Sequence, residues 1–125
     1  MMKLPEIQTK NIQRGEIYLA DLTGYVGAEQ SGKRPILVIQ NDCGNTHSPT
    51  TVIAPLTTKR KRRLPTHVVL TLKDCGISRR STVLCEQVRV IDKSRLIQLL
   101  GKVENPTKLE EINRALRTSM DLDVA

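Results

Sequence analysis

Apolar and β-branched residues fall in short runs separated by glycine, proline, asparagine and aspartate, a pattern typical of strands joined by turns. Three runs cover residues 16–22, 35–40 and 51–57, and a fourth covers residues 67–71. Residues 82–91 predict a fifth strand or a bent pair of strands. Several short strands with turn signals predict a small, strongly curved barrel rather than a parallel sheet.

The C-terminal segment has the pattern of a helix. Asn105 followed by Pro106 is a typical helix start, because the Asn side chain caps the first turn and proline is tolerated at the first helical position. Apolar residues then recur at three- and four-residue intervals on one face: Leu109, Ile112, Leu116 and Met120. This periodicity predicts a helix that packs on the sheet. We also expect a shorter helix over residues 94–100, before Gly101.

The chain as a whole predicts an arm followed by one domain. Residues 1–11 are polar and aperiodic, which predicts a flexible N-terminal arm, and residues 12–125 are expected to form a single domain. Residues 23–32 carry glycines and polar groups without apolar periodicity, which indicates a mobile connection that is long for a hairpin. Residues 59–63 are a run of five cations.

Charge and aromatic content narrow the class of partner. Twenty Lys and Arg against thirteen Asp and Glu give a formal net charge of +7, which favours a polyanionic partner such as nucleic acid. Phe and Trp are absent, and Tyr18 and Tyr25 are the only aromatic residues. The chain therefore cannot build the multi-base stacking platform of RNA-recognition motifs. Nucleic acid would be held by charge and hydrogen bonds, with at most one stacked base.

Cysteine usage and hydropathy bear on the compartment. The three cysteines are odd in number and form no C-x-x-C pair, which argues against a disulfide framework and against a zinc site. No uninterrupted apolar run approaches the ~18 residues of a membrane span, and Pro5 and Glu6 stand where a signal peptide would need apolar residues. We therefore expect a cytoplasmic protein that needs no metal or other cofactor.

Short motifs stand at the ends of the predicted strands. The sequence Gly32-Lys-Arg34-Pro35 opens the second strand, and Pro55-Leu-Thr57 closes the third. Five further motifs occur along the chain: 27–30 (Gly-Ala-Glu-Gln), 40–42 (Gln-Asn-Asp), 48–50 (Ser-Pro-Thr), 64–67 (Leu-Pro-Thr-His) and 86–89 (Glu-Gln-Val-Arg). Over residues 12–122 the set closely resembles the MazF/PemK family of mRNA-cleaving toxins from type II toxin-antitoxin modules.

The resemblance implies a fold, partners and site residues. The fold would be mainly β with a C-terminal helix, a small SH3-like barrel of the PemK/CcdB type, and the protein would form a homodimer inhibited by a cognate antitoxin. The family's catalytic arginine and threonine correspond to Arg34 and Thr57. The resemblance and the basic run together give these candidates for RNA binding: Tyr25, Glu29, Gln30, Lys59, Arg60, Lys61, Ser81, Glu86 and Gln87.

The implied chemistry needs no metal, because the 2′-hydroxyl of RNA can attack the neighbouring phosphorus. The protein must then help to remove one proton, stabilise charge on the phosphoryl oxygens and protonate the departing 5′-oxygen. Arg34 offers a forked guanidinium for two phosphate oxygens, but a guanidinium is almost never deprotonated in a protein and so is a poor general base. Thr57 could donate to the same phosphate. We expect His67 to be a half-buried strand residue bonded to backbone, and His47 to lie in a polar turn.

The sequence thus predicts a sequence-preferring, metal-independent endoribonuclease that cuts single-stranded mRNA and leaves 2′,3′-cyclic phosphate and 5′-hydroxyl ends. One alternative is a non-catalytic toxin similar to CcdB, which would bind a protein target such as gyrase through its terminal helix. Another is a basic barrel that only binds nucleic acid. The basic run at residues 59–63 could follow an RNA backbone or could be a solvated loop covered by an acidic antitoxin tail.

Overall fold

The computed structural model describes residues 12–24, 32–59 and 62–122 of the chain. Their strands are β1 (Glu16–Asp21), β2 (Lys33–Val38), β3 (Thr50–Thr57), β4 (His67–Leu70), β5 (Ser81–Leu84), β6 (Arg89–Asp92) and β7 (Leu96–Lys102). Their helices are α1 (Asp42–His47), α2 (Leu72–Cys75) and α3 (Pro106–Met120), with one 3₁₀ turn at Lys93–Arg95. The prediction of a mainly β fold with a C-terminal helix is confirmed.

The strands form one antiparallel sheet in the order β4-β5-β3-β2-β1-β7, and β6 pairs with β3 off this path. The long strand β3 lies at the centre, because it pairs with β6 through residues 50–53, with β2 through residues 53–55 and with β5 through residues 56–57. Across the described residues the sheet stays open, with β4 and β7 at its two ends. The word barrel therefore describes its curvature and not a closed cylinder.

Both faces of the sheet are buried. Alternate residues point to opposite faces, so each central strand contributes to two apolar clusters. The first cluster joins Ile17, Leu37 and Leu56 to Ile112 and Ala115 of α3. The second lies on the other face and contains Tyr18, Ala20, Ile36, Val38, Ile53 and Leu96. The central strands are thereby fixed on both faces.

Helix α3 begins as predicted. The Asn105 side chain accepts a hydrogen bond from the backbone N–H of Thr107 at 2.8 Å, and Pro106 occupies the first turn. Ile112 is buried against the sheet, whereas Met120 is 49% exposed. The packed face therefore ends before Met120.

The predicted short helix over residues 94–100 is wrong. This segment makes the 3₁₀ turn and then β7, whose Leu96 and Leu99 lie opposite Ala20 and Tyr18 of β1. The apolar residues of the segment fit helical and strand spacing equally, and pairing with the free edge of β1 decides in favour of the strand. Of the two alternatives for residues 82–91, a single strand or a bent pair, the structure has the pair, β5 and β6.

Some expectations concern residues outside the described ranges. The N-terminal arm, residues 1–11, lies there, as does most of the predicted mobile connection, residues 25–31. In the described part of the chain, helices long and apolar enough to cross a membrane are absent.

Candidate active site

The two residues predicted to be catalytic lie on neighbouring strands. The register of β2 and β3 pairs Ile36 with Pro55 and Val38 with Ile53, and the same register continued by two residues places Arg34 opposite Thr57. Directly opposite residues of an antiparallel pair point to the same face, about 5 Å apart. The register therefore places these two residues, separated by more than twenty positions in the sequence, on the same face of neighbouring strands.

The row continues on both sides of this pair. Arg34 lies opposite Ala20 of β1, and Thr57 lies opposite Thr82 of β5. Thr82 in turn lies opposite Val69 of β4. Arg34, Thr57 and Thr82 thus form a polar row in the middle of a five-strand span, on the face that carries the second apolar cluster.

Thr57 is held in one orientation by its own strand end. Its side chain is buried, with 3% of the residue exposed, and its hydroxyl oxygen accepts a hydrogen bond from the backbone N–H of Lys59 at 3.2 Å. Within the described ranges, the hydroxyl hydrogen of Thr57 has no acceptor. A hydroxyl fixed through its lone pair in this way can donate its hydrogen to a ligand.

A cavity of about 280 Å³ opens beside Thr57. It is lined by Thr57, Thr58, Lys59, Arg63, His67, Val69, Arg80 and Thr82. Three of these residues are cations, three carry hydroxyl groups, and carboxylates are absent from the set. The cavity is suited to an anion.

His67 forms the inner part of this wall and is 8% exposed. Its Nδ1 accepts a long hydrogen bond from the backbone N–H of Leu64 at 3.4 Å, as expected for a strand histidine bonded to backbone. The other ring nitrogen, Nε2, lies 3.1 Å from Oε2 of Glu86 and can donate a hydrogen bond to that carboxylate. The histidine therefore joins β4 to the turn after β5.

Glu86 has a structural role in this contact. Its Oε1 also accepts a hydrogen bond from the hydroxyl of Thr66 at 3.1 Å. Partial burial raises the pKa of Glu86, but hydrogen bonds from its own backbone, from His67 and from Thr66 outweigh burial and lower that pKa overall. The ionised carboxylate therefore holds the segment before β4 against the β5–β6 turn.

The other predicted RNA-binding residues lie in different places. Lys59 lines the cavity beside Thr57. Ser81 is buried, donates its hydroxyl hydrogen to the carbonyl oxygen of Arg79 at 3.0 Å, and lines a second cavity of about 470 Å³ on the opposite face of β5 from Thr82. Gln87 is half-buried in the turn after β5. Tyr25, Glu29, Gln30, Arg60 and Lys61 lie outside the described residues.

Sequence reasoning missed Arg80 and Thr82 as members of the site. Thr82 alternates with Val83, which faces the first apolar cluster, so a strand pattern places Thr82 on the other face. Only the β3–β5 register shows that this face carries Thr57. Arg79 and Arg80 are equivalent in the sequence, yet Arg79 lines the second cavity and Arg80 the first.

In residues 12–24, 32–59 and 62–122, groups of three or more His, Cys, Asp or Glu side chains that could hold a metal ion are not found.

Comparison with known proteins now defines the class. The sequence profile of PemK-like, MazF-like toxins of type II toxin-antitoxin systems matches residues 13–120. The chain belongs to this family of toxins.

Individual relatives agree with this assignment. Endoribonuclease EndoA of Bacillus subtilis (strain 168) is 44% identical over 112 residues, which are 89% of this chain and 96% of the relative. The structure of an endoribonuclease in complex with its cognate antitoxin, from Mycobacterial species, has a TM-score of 0.75 and 31% identity, and the match covers 91% of this chain and 99% of that one.

A third likeness concerns the fold alone. The crystal structure of MazF from Deinococcus radiodurans has a TM-score of 0.74 at 24% identity, covering 88% of this chain and 96% of that one.

Proposed function

We propose that this chain is a metal-independent endoribonuclease that cuts single-stranded mRNA with a preference for sequence. The observation that carries the proposal is that the strand register places Arg34 opposite Thr57. Among the described residues the hydroxyl hydrogen of Thr57 has no acceptor, and Thr57 lines a cationic cavity. These groups suit a phosphodiester, because a guanidinium fork and a hydroxyl donor both bind phosphoryl oxygens. The similarity to an endoribonuclease over 89% of the chain supports the same activity.

In the proposed reaction, the 2′-oxygen of the substrate attacks phosphorus and the bond to the 5′-oxygen breaks. The products are a 2′,3′-cyclic phosphate and a 5′-hydroxyl. The 2′-hydroxyl loses one proton and the 5′-oxygen gains one, so the step needs no net proton and no further reactant. Arg34 and Thr57 donate hydrogen bonds to the phosphoryl oxygens, where negative charge grows as the new bond forms.

The protein would hold its substrate mainly through charge. Lys59 and the adjoining Arg60 and Lys61 would contact RNA phosphates, and Tyr25, Glu29, Gln30 and Gln87 would contact bases or sugars. Ser81 and Glu86 would act indirectly, by fixing β5 and the turn after it. The protein would act in the cytoplasm as a homodimer, with a cognate antitoxin as its inhibitor. The antitoxin complex of the mycobacterial relative supports the last of these partners.

The rival function is that of a non-catalytic toxin similar to CcdB. Such a protein would need neither a phosphate-binding fork nor a hydroxyl donor beside it. The family to which the chain belongs and the Arg34–Thr57 placement both favour the nuclease.

The test compares two synthetic RNAs that contain the cleavage site. In the second RNA a deoxyribose replaces the single ribose on the 5′ side of the scissile phosphate. We expect the all-ribose strand to be cut in excess EDTA at an unchanged rate, and the deoxy strand to bind with similar affinity but to remain intact. Cutting of the deoxy strand at an undiminished rate would show that water or a protein group is the nucleophile, and the roles proposed for Arg34 and Thr57 would then be wrong.

A further inference from the structure

The cavity beside Thr57 is more cationic than one scissile phosphate requires. Lys59, Arg63 and Arg80 are all exposed at its rim. In the part of the chain that the structure describes, none of these three side chains pairs with a carboxylate. Three like charges around one concave surface repel one another, so a bound anion would stabilise the arrangement.

The cavity also offers a hydroxyl beyond Thr57. Thr82 lies next to Thr57 in the polar row and lines the same cavity. Within residues 12–24, 32–59 and 62–122 its hydroxyl makes no hydrogen bond. Thr82 is one strand farther from Arg34 than Thr57 is, so the row extends away from the proposed reacting phosphate by about 5 Å.

We propose that this cavity binds the phosphodiester next to the scissile one, with Arg63 and Arg80 as its cationic wall and Thr82 as a neutral donor. The inference rests on the proposed function, because the position of the scissile phosphate at Arg34 and Thr57 sets the direction of the strand.

The lining favours a phosphodiester over a base. The aromatic ring in the lining, His67, is 8% exposed and is held edge-on by Glu86, so little of its face is open for stacking, and the lining has no carboxylate to accept from a base amino group. Two guanidinium groups can instead form paired hydrogen bonds to the non-bridging oxygens of a phosphate. An RNA strand is also favoured over an acidic peptide, because the hydroxyl row runs without interruption from the proposed reacting phosphate into the cavity.

The chain supplies two matched pairs of variants for the test. Arg79→Gln and Arg80→Gln remove the same charge from adjacent positions, but Arg79 lines the second cavity and Arg80 the first. Arg62→Gln and Arg63→Gln form a similar pair, since Arg62 is exposed in the same segment and does not line the cavity. All four side chains are exposed, so each variant should fold.

Affinity is measured with the RNA that carries a single deoxyribose at the cleavage site, so that binding is separated from cutting. For Arg63→Gln and Arg80→Gln we expect the slope of log affinity against log salt to fall by about 0.7 each, the value for one lost contact to a single strand. Arg62→Gln and Arg79→Gln should leave that slope unchanged. Equal effects within each pair would mean that only the net charge of the protein matters for RNA binding, and the proposal would be overturned.

A second measurement locates the bound phosphate. A neutral methylphosphonate is introduced at one linkage at a time in the same RNA. At one linkage adjacent to the scissile phosphate, we expect it to weaken binding to the wild-type protein but to cause no further loss with Arg80→Gln, because both changes remove the same contact. Additive losses at every linkage would overturn the inference.

The outcomes separate this inference from the proposed function. If wild-type protein fails to cut the all-ribose strand but the coupling between Arg80 and one linkage persists, the nuclease proposal is wrong and the phosphate site remains. If the variants keep full RNA affinity and lose affinity only for an acidic peptide, the cavity is a peptide site and the inference is wrong.

Discussion

Thr57→Val removes one hydroxyl group and keeps the branched shape that suits its strand. Two separate consequences follow from the structure, because the hydroxyl oxygen accepts from the backbone N–H of Lys59 while its hydrogen is available to a ligand. One consequence concerns stability and the other concerns the reaction. Their sizes differ enough to be measured independently.

The stability effect should be small. The Lys59 N–H loses its acceptor, and Lys59 is exposed, so water can replace the lost partner. A hydrogen bond of this kind contributes about 1 kcal/mol to the free energy of unfolding. For a chain of this length the loss corresponds to a decrease in Tm of about 4 °C.

The effect on the reaction should be larger. Removing one donor that binds developing charge typically lowers the rate by about 10²–10³, or about 3–4 kcal/mol of transition-state stabilisation. Single-turnover cleavage with protein in excess measures this rate, and binding of the deoxy-substituted RNA measures affinity. We expect the rate to fall and the affinity to change little.

Thr57→Ser is the matched control. It keeps the hydroxyl and removes the methyl group, so it should retain most of the cleavage rate while losing about 1 kcal/mol of stability. If Thr57→Val cuts within a few-fold of the wild-type rate, Thr57 is not a donor in the reaction. If its affinity falls and its single-turnover rate is kept, Thr57 positions the substrate instead.

Three further predictions concern other parts of the fold. Arg34→Ala should lower the single-turnover cleavage rate about 10²-fold or more, and Arg34→Lys should recover little of it because the fork is lost. Gly101→Ala should lower the free energy of unfolding by about 3 kcal/mol in urea titrations, since an added Cβ would lie 2.2 Å from the carbonyl oxygen of Cys75. Burial raises the pKa of Glu86, but hydrogen bonds lower it overall. The ionised carboxylate therefore stabilises the folded protein above the ordinary glutamate pKa of about 4.3. This contribution is lost as the pH falls through the pKa of the folded state. Glu86→Gln should therefore lower the free energy of unfolding near pH 7 and have a smaller effect near pH 3.

Each of these predictions has its own control and its own contrary result. Near-wild-type turnover in Arg34→Ala would remove that residue from the reaction. Gly44→Ala should cost less than Gly101→Ala, because its new Cβ would meet the side chain of Gln40 and not backbone, and that side chain can move by giving up its hydrogen bonds to Asn45 and Thr50, at about 1 kcal/mol each. Glu104→Gln, at an exposed carboxylate, should change the acid limb of the stability curve little, and an equal effect at Glu86 would show that the His67 contact contributes nothing.

Sequence patterns located most strands but not their pairing. Alternation and turn residues mark β1 to β4 because each has a distinct buried face and a clear end. The segment 94–100 was predicted as a helix because a short apolar run has no decisive period, and its true form depends on the distant edge of β1. Non-local pairing of this kind leaves no local signal.

The same limit applies to the candidate site. Arg34 and Thr57 could be singled out by motif, but their position opposite each other depends on the antiparallel register of β2 and β3. The contact between His67 and Glu86 depends in the same way on β4 and β5, whose register pairs His67 with Leu84. A sequence alone also cannot tell which of Arg79 and Arg80 faces the cavity beside Thr57.

The position of the polar row within the sheet bears on how the proposed reaction would be preorganised. Two residues farther along β2, on the same face of the sheet, Ile36 lies opposite Tyr18 of β1 and Pro55 of β3. Tyr18 and Ile36 belong to the second apolar cluster, and Pro55 lies beside it. Arg34 and Thr57 are therefore anchored to strands whose next inward side chains are fixed by packing. Donors on such strands need little reorganisation when charge develops on a bound phosphate, which is the condition under which fixed hydrogen-bond donors lower a barrier most. The cations at the cavity rim, by contrast, lie on exposed segments, so their side chains could adjust to the RNA backbone. The proposed site would then hold the reacting phosphate with fixed donors and the adjacent phosphate with adjustable ones.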